Sequence, residues 1–288
     1  MQLFTFLQDG ESRLGVKTPQ GLVDAGKAGF GGTVMDVIEG GKEKVRELSQ
    51  AVESAGDSAS CLLNEADIAW GPCVTRPNKI ICVGLNYRKH AEETNAPIPK
   101  YPILFNKFNN TLAGHLEPIA VPKVTRELDY EAELVIVIGK KAKYVPKEQA
   151  LDHVFGYACV NDLSARDLQN RTPQWLLGKS CDGFSPLGPY LVTADEVGDP
   201  NRLAIRATVN GEVRQNSNTS DMIFRCDEIV SYVSQHMTLV PGDLILTGTP
   251  EGVVLGLPPE QRAYLQPGDE VTIEIEKLGS LTNRFVAE

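Results

Sequence analysis

Three acidic residues offer the clearest chemistry in this chain. Glu131 and Glu133 stand one residue apart in LDYEAELVIVIG, where an apolar run begins, and a second apolar run, GYACVND, ends in Asn161-Asp162. Alternate side chains of a β-strand share a face, so residues 131 and 133 point together, roughly 6.6 Å apart along the strand. Three hard oxygen donors of this kind suit Mg²⁺ or Mn²⁺, one ion per subunit. An E-x-E on a strand is more often a solvated face than a metal site. Here Glu133 is followed by Leu-Val-Ile-Val-Ile, apolar on both faces, which marks a strand covered on both sides. Carboxylates entering such a strand need a partner, because burying charge unpaired is costly.

The elements that must position these acids are mostly strands. KIICVG, PILFNKF, AELVIVIG, GYACVND, YLVT, LAIRATV, DLILTG and EVTIEIEKL all read as strands, and Asn210-Gly211 between LAIRATV and EVRQ predicts a tight type I′ hairpin. Pro-Gly-Asp turns at 241–243 and 267–269 launch two further strands. Residues 1–25 read as short strands with turns at Asp9-Gly10 and Pro19-Gln20-Gly21, and KEKVRELSQAVESA places Val45, Leu48 and Val52 at helical spacing. The small, polar and proline-bearing stretch from AGDSAS to WGPCVTRPNK suggests a boundary near residue 74. The expected architecture is thus a β-rich α+β domain over 75–288, preceded by a small N-terminal α/β domain and connection over 1–74.

At 288 residues the chain can bury a large core. Its net charge of −10 and lack of a basic stripe argue against nucleic acid as a partner. No apolar stretch approaches the ~20 residues needed to span a bilayer, and MQLFTFLQDG lacks the features of a signal peptide. A cytoplasmic protein acting on small molecules is the expectation. The six cysteines form no C-x-x-C pair and mostly lie in apolar surroundings, so they read as core packing. The four histidines show no zinc spacing.

The segments KIICVGLNYRKHAEE, PILFNKFNN, LDYEAELVIVIG, GYACVNDLSARDLQ, WLLGKSCDGFSPLGP, VNGEVRQNSNTSDMIF and DLILTGTPEGV occur in the order of those of the fumarylacetoacetate hydrolase family, which the chain resembles along nearly all of 78–288. The resemblance implies a β-roll or sandwich of mixed sheets, a metal held by three acids, homodimers, and enzymes that break or rearrange bonds in 2-oxo acids. Carried over residue by residue, it makes Glu131, Glu133 and Asp162 the metal ligands. Arg166 and Gln169 become substrate contacts, with an ion pair from Arg166 to Asp167 or to a ligand carboxylate an equal alternative. Lys179 matches a lysine that stabilises or protonates an enolate, where an unplaced lysine would ordinarily be surface. Gly248 and Thr249 of TGTP resemble a substrate loop. Asn86 and Tyr87 shape either the pocket entrance or a turn.

His90 and Glu93, three apart in NYRKHAEE, meet if the segment is helical. The resemblance makes them a water-activating pair, with Glu92 a competing candidate. Cys181 fits no nucleophile motif. The expected function is metal-dependent C–C hydrolysis of an acylpyruvate- or fumarylpyruvate-type β-diketone. Decarboxylation of oxaloacetate or isomerisation of unsaturated 2-oxo diacids is the alternative, and a binding protein without turnover the non-enzymatic one.

Overall fold

The strand Ala132–Ile138 is buried at every position, and its two faces serve two cores. Val135 and Val137 pack with Leu3, Leu48, Val160 and Leu246, whereas Leu134, Ile136 and Ile138 pack with Tyr157, Ile205 and Ile273. This division follows from a continuous apolar run, in which both alternating sets can be buried. The computed structural model describes residues 1–56 and 58–288.

Around that strand runs a twelve-stranded sheet. Ala132–Ile138 pairs antiparallel with Val154–Asn161 on one side and with Leu244–Leu246 on the other. Leu244–Leu246 lies parallel to Ile80–Gly84, which pairs antiparallel with the edge strand Ile103–Lys107. Beyond Val154–Asn161 the sheet continues through Ser185–Thr193. A five-stranded sheet covers one face, ordered Glu212–Asn218, Ala204–Val209, Glu270–Ile275, Gly279–Ala287 and Ile119–Val121. The helix Cys226–His236 packs into the same core through Ile229, Val230 and Val233. The strand-rich α+β class expected from sequence is therefore the class observed.

Local signals decide several elements. Asn210 and Gly211 have φ of 50° and 83°, the two left-handed positions that a type I′ turn demands, between strands in which Val209 faces Glu212. The expected helix begins earlier than its apolar spacing indicates. Thr33 and Asp36 form a capping box, and helix Val34–Ala55 breaks at Gly41, φ 58° and ψ −140°. Leu48 is wholly buried, with Val45 and Val52 packed against the same core.

The N-terminal strands do not close on themselves. Gln2–Gln8 pairs with Glu11–Thr18 but also with Ser185–Thr193, placing Gln2 opposite Val192 and Leu3 opposite Leu191. The hydrogen-bonded sheet thus passes across the boundary drawn near residue 74. The cysteines are all free, with Cys61, Cys73, Cys82, Cys159 and Cys226 buried, in keeping with a packing role. No helix among the described residues is long and apolar enough to cross a membrane.

Candidate metal and catalytic site

Antiparallel pairing closes the thirty-residue gap between the acids. Ala132 faces Asn161 and Glu133 faces Val160, so the start of one strand lies beside the end of the other. The Asn161 side chain accepts from Glu131 N–H at 3.0 Å, and Asp162 N–H donates to the Glu131 carbonyl at 2.9 Å. Carboxylate oxygens of Glu131, Glu133 and Asp162 consequently gather within 4.8 Å of one another, all buried. The Thr247–Pro250 loop leaves its strand at the same end and is tied back by Thr247 N–H and Oγ1 to the Leu134 carbonyl at 3.0 and 2.9 Å.

Cations surround the acids unevenly. Lys179 Nζ donates to Glu131 Oε2 at 2.7 Å and Asp162 Oδ2 at 2.9 Å, while Lys107 donates to Asp162 Oδ1 and, at 2.6 Å, to the Phe184 carbonyl. Arg166 divides its guanidinium among Asp129 (2.9 Å), Glu131 (2.7 Å) and Gln169 (2.9 Å). Burial opposes ionisation of Glu131, but the charges of Lys179 and Arg166 outweigh it and hold the carboxyl down to about 2. Burial also opposes the charge on Lys179, yet Asp162 and Glu131 raise it above the usual lysine range.

Glu133 is the exception. Among the described residues it has no cationic partner in contact, and its Oε2 accepts only Gly248 N–H at 2.8 Å. Burial, then Asp162 and Glu131, push its carboxyl well above the ordinary range. Three converging buried carboxylates, one lacking a counter-charge, fit a hard divalent cation. The all-oxygen donor set excludes a zinc-finger-like site.

Beside the acids lies a cavity of about 210 Å³, lined among others by His90, Lys179, Gln169, Thr249, Phe105 and Trp175. His90 and Glu93 sit on the short helix Arg88–Glu93, where three-residue spacing brings His90 Nδ1 within 2.7 Å of Glu93 Oε1. Glu93 Oε2 accepts from Gly252 N–H at 2.9 Å, so the carboxylate is fixed at both oxygens and holds the ring. Asn86 clamps the start of this helical segment, its Nδ2 donating to the Thr247 and Phe224 carbonyls at 2.7 and 3.0 Å. The arrangement can polarise an anionic oxygen substrate and move a proton beside it.

Residues 79–286 match the model of the fumarylacetoacetate (FAA) hydrolase C-terminal domain. The chain belongs to the fumarylacetoacetate hydrolase family. Among curated relatives it is 48% identical to "Oxaloacetate tautomerase fahd2, mitochondrial" of Xenopus laevis over 240 residues, covering 82% of this chain and 74% of that one. It is 47% identical to the human "Oxaloacetate tautomerase FAHD2A, mitochondrial", covering 78% and 72%. Among solved structures, maleylpyruvate hydrolase from Sphingobium sp. SYK-6 in complex with manganese(II) and pyruvate superposes with a TM-score of 0.81 at 31% identity, covering 100% and 99% of the two chains. The family comprises enzymes, and this chain is one of them. The mitochondrial names of these relatives overturn the expectation of a cytoplasmic protein, which rested on the lack of recognisable targeting features in MQLFTFLQDG.

Within the family's site, several expected residues stand in other relations than their motifs imply. Arg166 does not present a free fork to the cavity: its nitrogens are engaged by Asp129, Glu131 and Gln169, and the ion pair is with the ligand carboxylate, not with Asp167, which instead accepts from Thr125 and Arg126. Gln169 lines the cavity with its Oε1 committed to Arg166. The Gly248 N–H serves Glu133, so it is not open to substrate. At φ +95° a side chain there would be strained, and a Cβ would fall 2.8 Å from Asn86 Cβ. Thr249 lines the cavity and accepts from Gln215 Nε2 at 2.9 Å. Tyr87 is wholly buried away from the cavity lining, packed in the core, which departs from a place at the pocket entrance.

Three residues of the site escaped sequence reading. Lys107 is buried against Asp162, and its only signal was a lysine inside the apolar strand PILFNKF. Asp129 accepts from Arg166, Val254 and Leu255, tying the 252–255 loop to the acids. Gln215 bridges Ala132 N–H to Thr249 and Pro250 from a strand 83 residues beyond Ala132. Neither of the last two carries a local motif.

Proposed function

We propose that this enzyme moves a proton at the carbon next to the keto group of a small 2-oxo diacid, interconverting enol and keto forms of oxaloacetate or a close analogue. The observation that carries this reading is that His90, held by Glu93, and Lys179 line one small cavity beside the three carboxylates. The names of the relatives at 47–48% identity support the substrate class. Glu131, Glu133 and Asp162 are the residues that would hold Mg²⁺ or Mn²⁺, one per subunit, and a bound ion would supply Lewis-acid polarisation of a 2-oxo acid. His90, oriented by Glu93, takes the carbon-bound proton through its free ring nitrogen. The electron pair left behind forms the enolate, whose oxygen the Lys179 ammonium stabilises; that oxygen takes a proton from solvent to give the enol, and His90 releases its proton to solvent. In the reverse direction His90 returns the proton to carbon.

Hydrolysis of an acylpyruvate is the second reading, because the same pair can deprotonate water and a structural relative named a maleylpyruvate hydrolase was captured with Mn²⁺ and pyruvate. Tautomerisation of oxaloacetate was not among the activities expected from sequence, which were hydrolysis first, then decarboxylation of oxaloacetate or isomerisation of unsaturated 2-oxo diacids. We also propose a homodimer, supported by the edge strand Ile103–Lys107 and the exposed Ile98, Tyr101 and Phe108 nearby in sequence.

Decay of enol-oxaloacetate absorbance and release of pyruvate from an acylpyruvate, followed in parallel with Mg²⁺ or Mn²⁺, test the choice. Tautomerisation should exceed the metal-buffer rate and fall by about 10²–10⁴ in His90→Ala, with metal retained. Pyruvate release without accelerated tautomerisation would replace this reading by the hydrolytic one. Neither reaction on a wider panel of 2-oxo acids would leave a binding role.

A further inference from the structure

The cavity beside the carboxylates also carries an aromatic pair, Phe105 and Trp175. Its apolar lining is Val83, Leu85, Ala96, Phe105, Trp175 and Leu255, set beside polar groups such as His90, Gln169 and Thr249. Trp175 is the largest of these side chains, and it reaches its place because residue 84 is glycine. A Cβ at Gly84 would stand 2.5 Å from Trp175 Cζ3 and 2.9 Å from Cη2, too close for any side chain unless the indole moved. The Phe105 ring meets the indole edge to face, with centroids 5.3 Å apart and planes at 74°. Lys179 Nζ in turn lies 5.3 Å from the Phe105 centroid while donating to Glu131 at 2.7 Å. These short distances in series leave the aromatic wall within one small molecule's length of the carboxylates.

We propose that Trp175, seated on Gly84 and braced by Phe105, is the specificity-determining residue that limits the length of the substrate beyond its 2-oxo acid head. The inference rests on the 2-oxo acid reading of the site and deepens it. A four-carbon acid held by its head beside the carboxylates and Lys179 finishes short of the indole, whereas a longer tail must displace the indole from a contact that has no slack on the glycine side. Discrimination by an apolar wall is worth about 10–200-fold per methylene, enough to separate an oxaloacetate-sized substrate from extended acylpyruvates without a dedicated polar reader. The wall also accounts for Phe105, which comes from an edge strand and contributes nothing to the carboxylate set.

Trp175 is only half buried, and the neighbouring residues 170–174, 176 and 177 are exposed, so replacing it leaves the cores untouched. Calorimetric titration of the Mn²⁺-loaded protein with pyruvate, 2-oxobutyrate, 2-oxohexanoate and 2-oxooctanoate reads the wall without any need for turnover. In the wild type, affinity should fall as the tail lengthens. In Trp175→Ala the ratio of 2-oxohexanoate to 2-oxobutyrate affinity should rise by about tenfold or more, with Trp175→Phe intermediate and Phe105→Ala shifted in the same direction. An unchanged ratio in Trp175→Ala, or a wild type that binds longer acids progressively more tightly, would overturn the inference while leaving the 2-oxo acid reading intact. Absence of binding for the whole series would remove both. Oxaloacetate turnover absent beside a length-dependent binding profile would remove only the tautomerase reading.

Discussion

Replacing Lys179 by methionine separates the two tasks of its ammonium, which bridges Glu131 Oε2 and Asp162 Oδ2 at 2.7 and 2.9 Å. Both carboxylates are buried, and so is the lysine, so little water is available to take its place. Asp162 then keeps Lys107 and Glu131 keeps Arg166, but Glu133 loses its nearest compensating field. Removing one partner of a buried ion pair costs about 3–5 kcal/mol. At the ~2–4 °C per kcal/mol of a chain approaching this size, the metal-free variant should melt roughly 10 °C below wild type. A divalent ion answers the same oxygens, so Mg²⁺ or Mn²⁺ should raise the variant's Tm by more than it raises the wild type's. At about 100 times Kd the ion contributes ~2.7 kcal/mol. Turnover should nevertheless fall by about 10²–10³, the usual loss when one donor to a developing oxyanion is removed. Thermal melts with and without metal, metal analysis and initial rates together make the test. A metal-free variant melting with the wild type, or one whose metal affinity collapses alongside its rate, would refute the claim that lysine and metal share these oxygens.

Glu133→Gln should raise the Tm of the metal-free protein near pH 7–8. The folded-state carboxyl is held well above its ordinary 4.5, so its contribution favours folding below about pH 4.5 and is lost as pH rises through the raised value. The advantage of glutamine should close by about pH 4, and metal-induced stabilisation should be lost; melts across pH check both. Glu131→Ala and Asp162→Ala should each fail to retain metal on analysis, and wild-type stoichiometry and affinity in both would contradict the ligand assignment. Gly248→Ala should lose metal affinity and about 1–3 kcal/mol of stability, because φ of +95° and the contact with Asn86 both exclude a Cβ; an unchanged melt and affinity would count against the Glu133 clamp.

What was legible in the sequence depended on how far a residue's role is set by its own strand. Glu131, Glu133 and Asp162 could be read because the buried runs that carry them pair directly, so a pattern within each run predicts the meeting of their ends. His90 and Glu93 needed only one helical turn. Arg166 was harder: its four-residue distance from Asp162 is local, but the carboxylate that captures it, Asp129, lies 37 residues earlier. Gln215 and Lys107 act through contacts 83 and 55 residues away, and nothing in their immediate neighbours distinguishes them from ordinary strand residues. The Asn210-Gly211 hairpin was readable for the converse reason, since two adjacent backbone conformations decide it. The strand Gln2–Gln8 was read correctly as a strand, while its partner beyond residue 184 was not, because apolar alternation records which face is buried and not which neighbour supplies the ladder.

That last pairing sets a timetable for synthesis. Gln2 and Leu3 bond opposite Val192 and Leu191, so the strand Gln2–Gln8, already paired with Glu11–Thr18, waits for about 190 more residues before its second ladder can form. At about 5–20 residues per second, the wait is roughly 10–40 s. The strands 2–24 and the helix Val34–Ala55 emerge early with Leu3, Leu14, Val16 and Leu48 destined for a core whose other half does not yet exist. During that interval the nascent hairpin holds an unpaired edge and an uncovered apolar face in the solvent where other chains are being made.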